Sequence, residues 1–123
     1  LNSAEARAKK LDAHMRMLEE VLEGWAAYGL LDLCPGELIT WFLDLIVFDL
    51  ARLDADDFHR VAARVNMDLA TFLGTDWADM PAKGAVCRVA HKFVATTSGF
   101  SMADATLFYL STRGLKACLE RFL

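Results

Sequence analysis

Apolar positions along this chain recur at helical spacing, and no stretch alternates convincingly in the two-residue period of a strand. Leu11, Met15, Leu18, Leu22 and Trp25 follow one another at steps of four, three, four and three, which places them in one stripe of a helix. Asn2 or Ser3 is suited to cap its start, and Gly29 fits its C-terminus. Arg7, Lys10, Arg16, Glu19, Glu20 and Glu23 lie mostly off the stripe. Pro35 sits well at the first position of a second helix, which runs from Gly36 to about Leu53 and is apolar nearly all round. Such a helix belongs at the centre of a bundle or under a partner. Asp44 and Asp49 interrupt it. Five residues apart, they do not share a face, so the pattern predicts that they are solvent-facing or ion-paired.

Asp54 is the natural cap of a third helix, with Asp56 and Asp57 in its first turn and Gly74 at its end. Phe58, Val61, Ala62, Val65, Leu69 and Phe72 or Leu73 form its apolar face. Thr75 to Pro81 reads as a turn. A fourth helix is predicted from about Ala82 to Thr97, bent or broken at Ser98-Gly99, and Ser101 caps a final helix from Met102 to Phe122. Its expected buried side is Leu107, Phe108, Leu110, Leu115, Cys118, Leu119 and Phe122, with Gly114 inside it. The chain therefore reads as all-α, a single domain over 1–123. The expected architecture is a five-helix bundle, with an up-down antiparallel core of about four helices plus the N-terminal helix.

Composition sharpens this picture. An apolar fraction of 55% and a mean hydropathy of +0.27 exclude a disordered chain. They also imply more apolar surface than a small monomer hides, which favours a homo-oligomer or a protein partner. No run reaches the roughly 18 uncharged apolar residues of a membrane span, since Asp44 and Asp49 interrupt the nearest candidate, Leu38 to Leu50. The opening LNSAEARAKK lacks the apolar core of a signal peptide. Cys34, Cys87 and Cys118 form no CxxC pair and fit free thiols in a reducing cytoplasm. Charge is unevenly spread: residues 1–79 carry 15 acids and 7 bases, whereas residues 80–123 carry Asp104 and Glu120 against six bases. The two halves can meet within one fold or across subunits, and the basic half can face an acidic partner.

The candidate chemistry sits in the basic half, in AVCRVAHKFVATTSGFSM, Ala85 to Met102. At about 100° per residue, Gly84, Cys87, Arg88, Ala95 and Ser98 fall near the face centred on His91, while Val86, Val89 and Phe93 lie opposite and claim the core. His91 is thus expected to project outward between small residues. No acid lies between Asp79 and Asp104, so an approaching phosphoryl group would meet Lys83, Arg88 and Lys92. That setting suits a nucleophilic histidine.

Ala90, His91 and Phe93, followed by the small Ala95, Thr96 and Thr97 and by Phe100-Ser101, resemble the motif of the histidine-containing phosphotransfer domain. The acids Asp54 to Asp57 at the head of the preceding helix and the Asp76-Trp77 turn add to the likeness, which covers about Ile39 to Leu119. The resemblance implies that His91 Nε2 takes a phosphoryl group from the aspartyl phosphate of a response-regulator receiver domain and passes it on. It also implies that the receiver brings the Mg²⁺, so that the helical domain needs no cofactor. Arg88 and Lys92 would steady the phosphoryl group, and Lys83, Gly84, Ala95 and Ser98 would form the docking surface. One position departs from the motif: Val94 stands where the family has its lysine.

The alternative reading is a non-catalytic helical scaffold or interaction subunit of a bacterial assembly. One version binds nucleic-acid backbone through Lys83, Arg88, Lys92, Arg113 and Lys116, as the small subunit of a CRISPR-type effector would. The overall acidity and the lack of a basic-aromatic stacking surface disfavour that version. A stand-alone enzyme finds no Ser-His-Asp or Cys-His constellation, phosphate-cradling glycine loop or metal motif in the sequence. Cys87, four residues before His91, reads as a packing residue.

Overall fold

The computed structural model describes residues 3–95 and 99–122, and these are helical and turn structure throughout. The helices are α1 (Ala4–Ala27), α2 (Pro35–Leu50), α3 (Ala55–Leu73), α4 (Gly84–Val94), α5 (Met102–Arg113) and α6 (Leu115–Phe122). A short 3-10 turn, Trp77–Asp79, precedes α4. Starts follow local chemistry. The Ser3 hydroxyl accepts from the Ala6 amide at 3.1 Å and Asp54 accepts from the Asp57 amide at 2.8 Å, each satisfying an otherwise orphaned helix donor. Ser101 and Asp104 close a reciprocal capping box at the head of α5.

The all-α expectation holds, and two details differ from it. The last segment is two helices, not one. Gly114 adopts φ +87°, a left-handed conformation that a side chain resists, and the chain changes direction there. The residues expected to bury the C-terminal end lose their phase at that break. Leu115, Leu119 and Phe122 beyond it are all exposed, while before it Phe108 is buried and Leu107 faces outward. The second difference is α4, which stops at Val94. Ala95 is its C-cap with extended backbone (φ −75°, ψ 131°), and Thr96, Thr97 and Ser98 lie outside the described residues.

The helices touch in a circuit: α1 packs on α2 and α3, α2 on α5, α5 on α4, and α4 back on α3, while α6 rests on α5. The apolar stripes fill the middle. Leu11, Met15, Leu18 and Leu22 of α1 are buried, as are Phe58, Ala62, Val65 and Leu69 of α3. On α2 the buried residues from Leu38 to Leu50 cover about half of the circumference. Leu45 and Phe48 are half-buried and Trp41 is exposed, so the nearly all-apolar helix is not enclosed on every side. Phe58 stacks on Phe100 with ring centroids 5.6 Å apart and meets Phe93 edge-on at 5.9 Å, so three segments share one aromatic cluster. Trp77 lies in the expected turn and is fully buried there, and its Nε1 donates to Asn66 Oδ1 at 2.8 Å. A backbone contact holds the same region: a Cβ on Gly36 would lie 2.6 Å from the Met80 carbonyl oxygen, so only glycine lets α2 start this close to the segment before α4.

Charged pairs run along the seams. Lys10 binds Asp49 at 3.1 Å between α1 and α2, and Arg113 binds Asp44 between α5 and α2, so both α2 aspartates are ion-paired. Between α1 and α3, Arg64 grips Glu19 with two nitrogens (3.0 and 2.8 Å) and Asp12 at 2.9 Å. No described helix is long and apolar enough to cross a membrane.

Candidate functional site

α4 puts its apolar residues where helical geometry requires. Val86, Val89, Ala90 and Phe93 are buried, and His91 is exposed. The imidazole side chain keeps 53% of its accessible surface, enough for a partner to reach it. Arg88 lies one turn before it on the neighbouring face, is exposed, and has no ion pair among the described residues. Gly84, at the first position of α4, is exposed, and no atom lies within 4 Å of where its Cβ would stand. Ala95, half-buried, has left the helix, so it does not continue the His91 face as helical arithmetic placed it. Ser98 lies outside the described residues.

The other two cations of the expected site, Lys92 and Lys83, are engaged within the chain. Lys92 reaches Asp104 at 3.3 Å and the Gly99 carbonyl at 3.4 Å, which ties α4 to the head of α5. Burial works to raise the Asp104 carboxyl. The Ser101 amide and hydroxyl together with Lys92 outweigh it and hold the group below the usual aspartate range. Lys83 donates to the Ser111 carbonyl at 3.0 Å. Cys87 Sγ lies 3.1 Å from the Pro81 carbonyl and donates there, so it is not paired with His91.

The residue that the sequence reading missed is Asp79. Its Oδ1 lies 2.6 Å from His91 Nε2. An ionised carboxylate can only accept, so Nε2 must be the N–H that donates to it, and the neutral ring then carries its lone pair on Nδ1. This changes the expected chemistry, in which Nε2 was the free nucleophile. It also changes the electrostatics: the stretch around His91 is free of acids in sequence, but not in space. The signal that points to Asp79 is Trp77. An aromatic residue inside a polar turn anchors that turn to the core and turns the adjacent carboxylate back over α4.

A second cluster of titratable groups lies between α1 and α3. Hydrogen bonds from Arg64 and then Asp68 pull Glu19 down to about 2. Burial, followed by the hydrogen bond and charge of Glu19, pushes Asp68 up to about 7. Asp68 Oδ2 is buried without a partner. A neutral carboxyl tolerates that position far better than an ion does, so Asp68 holds the proton while Glu19 keeps the charge for Arg64. Among the described residues no group of three His, Cys, Asp or Glu side chains gathers to hold a metal.

An open, largely apolar recess of about 360 Å³ lies between α1 and α2, lined by Val21, Trp25, Leu38 and Trp41 together with Glu37. Beyond α1, Tyr28 and Leu33 are 82% and 74% exposed. No family model, curated protein or solved structure matches this chain.

Proposed function

We propose that the chain is a phosphotransfer protein whose His91 accepts a phosphoryl group from a receiver-type aspartyl phosphate and returns it. The observation that carries this reading is an exposed imidazole on a helix surface with a guanidinium one turn away, Arg88, that has no ion pair among the described residues. We take the circuit of helix contacts as the up-down bundle that holds α4 rigid beneath the ring. In this reading Nδ1 attacks phosphorus, the bond from phosphorus to the aspartyl oxygen breaks, and the electron pair leaves with the receiver's carboxylate. The Nε2 proton passes to Asp79 or to solvent, which leaves a phosphohistidine with a neutral ring and an anionic phosphoryl group. Arg88 offsets the charge of the phosphoryl oxygens. Lys92 contributes only if it releases Asp104, and Val94 supplies no charge. The test uses phosphoramidate as a small phosphoryl donor. One acid-labile phosphoryl group per chain is expected, lost in His91→Gln with helical circular dichroism unchanged. Equal labelling of the variant, or no labelling of the wild type, overturns the site.

A second reading, a non-catalytic interaction module, is favoured by the open tryptophan recess between α1 and α2 and by the bare Tyr28 and Leu33. Its simplest occupant is a second copy of the chain, as the high apolar content suggests. Sedimentation would then show association that rises with concentration and is lost in Trp41→Glu. A chain that stays monomeric at every concentration rejects the homo-oligomer. The nucleic-acid version loses support, because Lys83, Lys92 and Arg113 are each engaged within the chain.

A further inference from the structure

Three recesses meet around Arg52, away from the residues of the His91 face. One of about 530 Å³ lies between the starts of α1 and α3, where Arg7 and Arg64 line it. A second of about 310 Å³ continues past Arg7 and Lys10. A third of about 250 Å³ reaches Tyr109 and Arg121. Arg52 lines all three, so they form one furrow.

The cations along this furrow fall into two groups. Lys10, Arg60, Arg64 and Arg113 are each held by a carboxylate. Arg7, Arg52 and Arg121 have no carboxylate within ion-pair distance among the described residues. The Arg52 guanidinium donates to the Phe48 carbonyl at 3.1 Å. Arg121 lies over aromatic faces instead, 4.3 Å from the Phe48 ring centre and 5.0 Å from that of Tyr109. The acids of the furrow are thus largely neutralised by the first group, and the second group leaves an excess of positive charge in a concave setting. This is notable in a chain whose net charge is −4. Guanidinium groups present planar, two-donor forks suited to phosphoryl oxygens, and a recess strengthens such bonds by partly excluding water.

We infer that this furrow is a binding site for a small polyanion of the di- or triphosphate class, engaged by Arg7, Arg52 and Arg121. Three separated guanidiniums favour a ligand with more than one anionic group, since a single phosphate can use only part of the set. A nucleic-acid strand fits less well. Bases need open aromatic faces, and Arg121 already covers Phe48 and Tyr109 here. The site is independent of the phosphotransfer reading, as it shares no residue with the His91 face.

Calorimetric titration of the unphosphorylated chain with tripolyphosphate at low ionic strength tests the inference. Saturable binding is expected, with inorganic phosphate weaker. Arg52→Gln and Arg7→Gln should each weaken binding about tenfold or more, the loss of one charge-assisted contact. Arg88→Gln and His91→Gln should leave it unchanged, which separates this outcome from that of the His91 experiment. Arg52, Arg88 and His91 are exposed and Arg7 is half-buried, and matched circular dichroism identifies any variant that misfolds. The inference is overturned if tripolyphosphate gives no saturable heat, if Arg88→Gln weakens binding as much as Arg52→Gln, or if a single-stranded oligonucleotide binds more tightly than tripolyphosphate.

Discussion

Asp68 shows how much one carboxyl group can owe to its surroundings. Burial and the neighbouring Glu19 push it up to about 7, so the folded chain holds a proton there that the unfolded chain releases near the ordinary aspartate value of 3.8. The contribution of a raised acid is fully present below the unfolded value of 3.8, and it is lost as pH rises from there through about 7. Glu19 acts in the opposite direction. It is lowered from 4.5 to about 2, so its contribution is present above about 4.5 and is lost as pH falls through about 2. The pair therefore stabilises most in mildly acidic solution. Asp68→Asn keeps a donor toward Glu19 and cannot ionise. The variant should melt above the wild type at pH 8, and its melting temperature should change less between pH 5 and pH 8. A wild-type curve that is flat across that window contradicts the assignment. None of this was legible in the sequence, because Glu19 and Asp68 meet only when α1 packs on α3.

At the scale of elements, sequence legibility followed the length over which periodicity stays in phase. The stripes of α1 and α3 and the nearly all-apolar α2 were readable because each helix runs several turns without interruption. Helical arithmetic also oriented α4 correctly at Val86, Val89 and Phe93. It failed at Ala95, where the helix has ended, and beyond Gly114, where one left-handed residue resets the phase. The Asp79 contact with His91 escaped for another reason: it depends on how a turn folds back, which periodicity does not encode. Two substitutions test the joints. Gly36→Ala forces a Cβ against the Met80 carbonyl at 2.6 Å. It should cost about 1–3 kcal/mol, the usual penalty of overpacking, seen as a lower denaturation midpoint. Ser101→Ala removes the hydroxyl half of the α5 capping box and should cost about 1 kcal/mol, lowering the melting temperature by a few degrees. If Ser101→Ala leaves the melting temperature unchanged, the box adds nothing to stability.

The whole molecule joins an acidic N-terminal part to a basic C-terminal part, and the structure shows some of this charge meeting inside the fold. Arg113 reaches back to Asp44, which joins the two parts through an ion pair between α5 and α2. The exposed apolar residues are distributed differently. Tyr28 and Leu33 cluster after α1, while Leu115, Leu119 and Phe122 lie along α6. Folding as a whole also has a calorimetric signature, which follows from the buried proton of Asp68. Near pH 6 each molecule that unfolds should release close to one proton from this group to the buffer. The heat absorbed on melting then includes the heat of protonating that buffer. Scans in an amine buffer, which binds protons exothermically, should give a smaller apparent unfolding enthalpy than scans at the same pH in phosphate. For Asp68→Asn the two buffers should agree more closely, so the enthalpy difference counts the protons that one carboxyl group gives up when the chain comes apart.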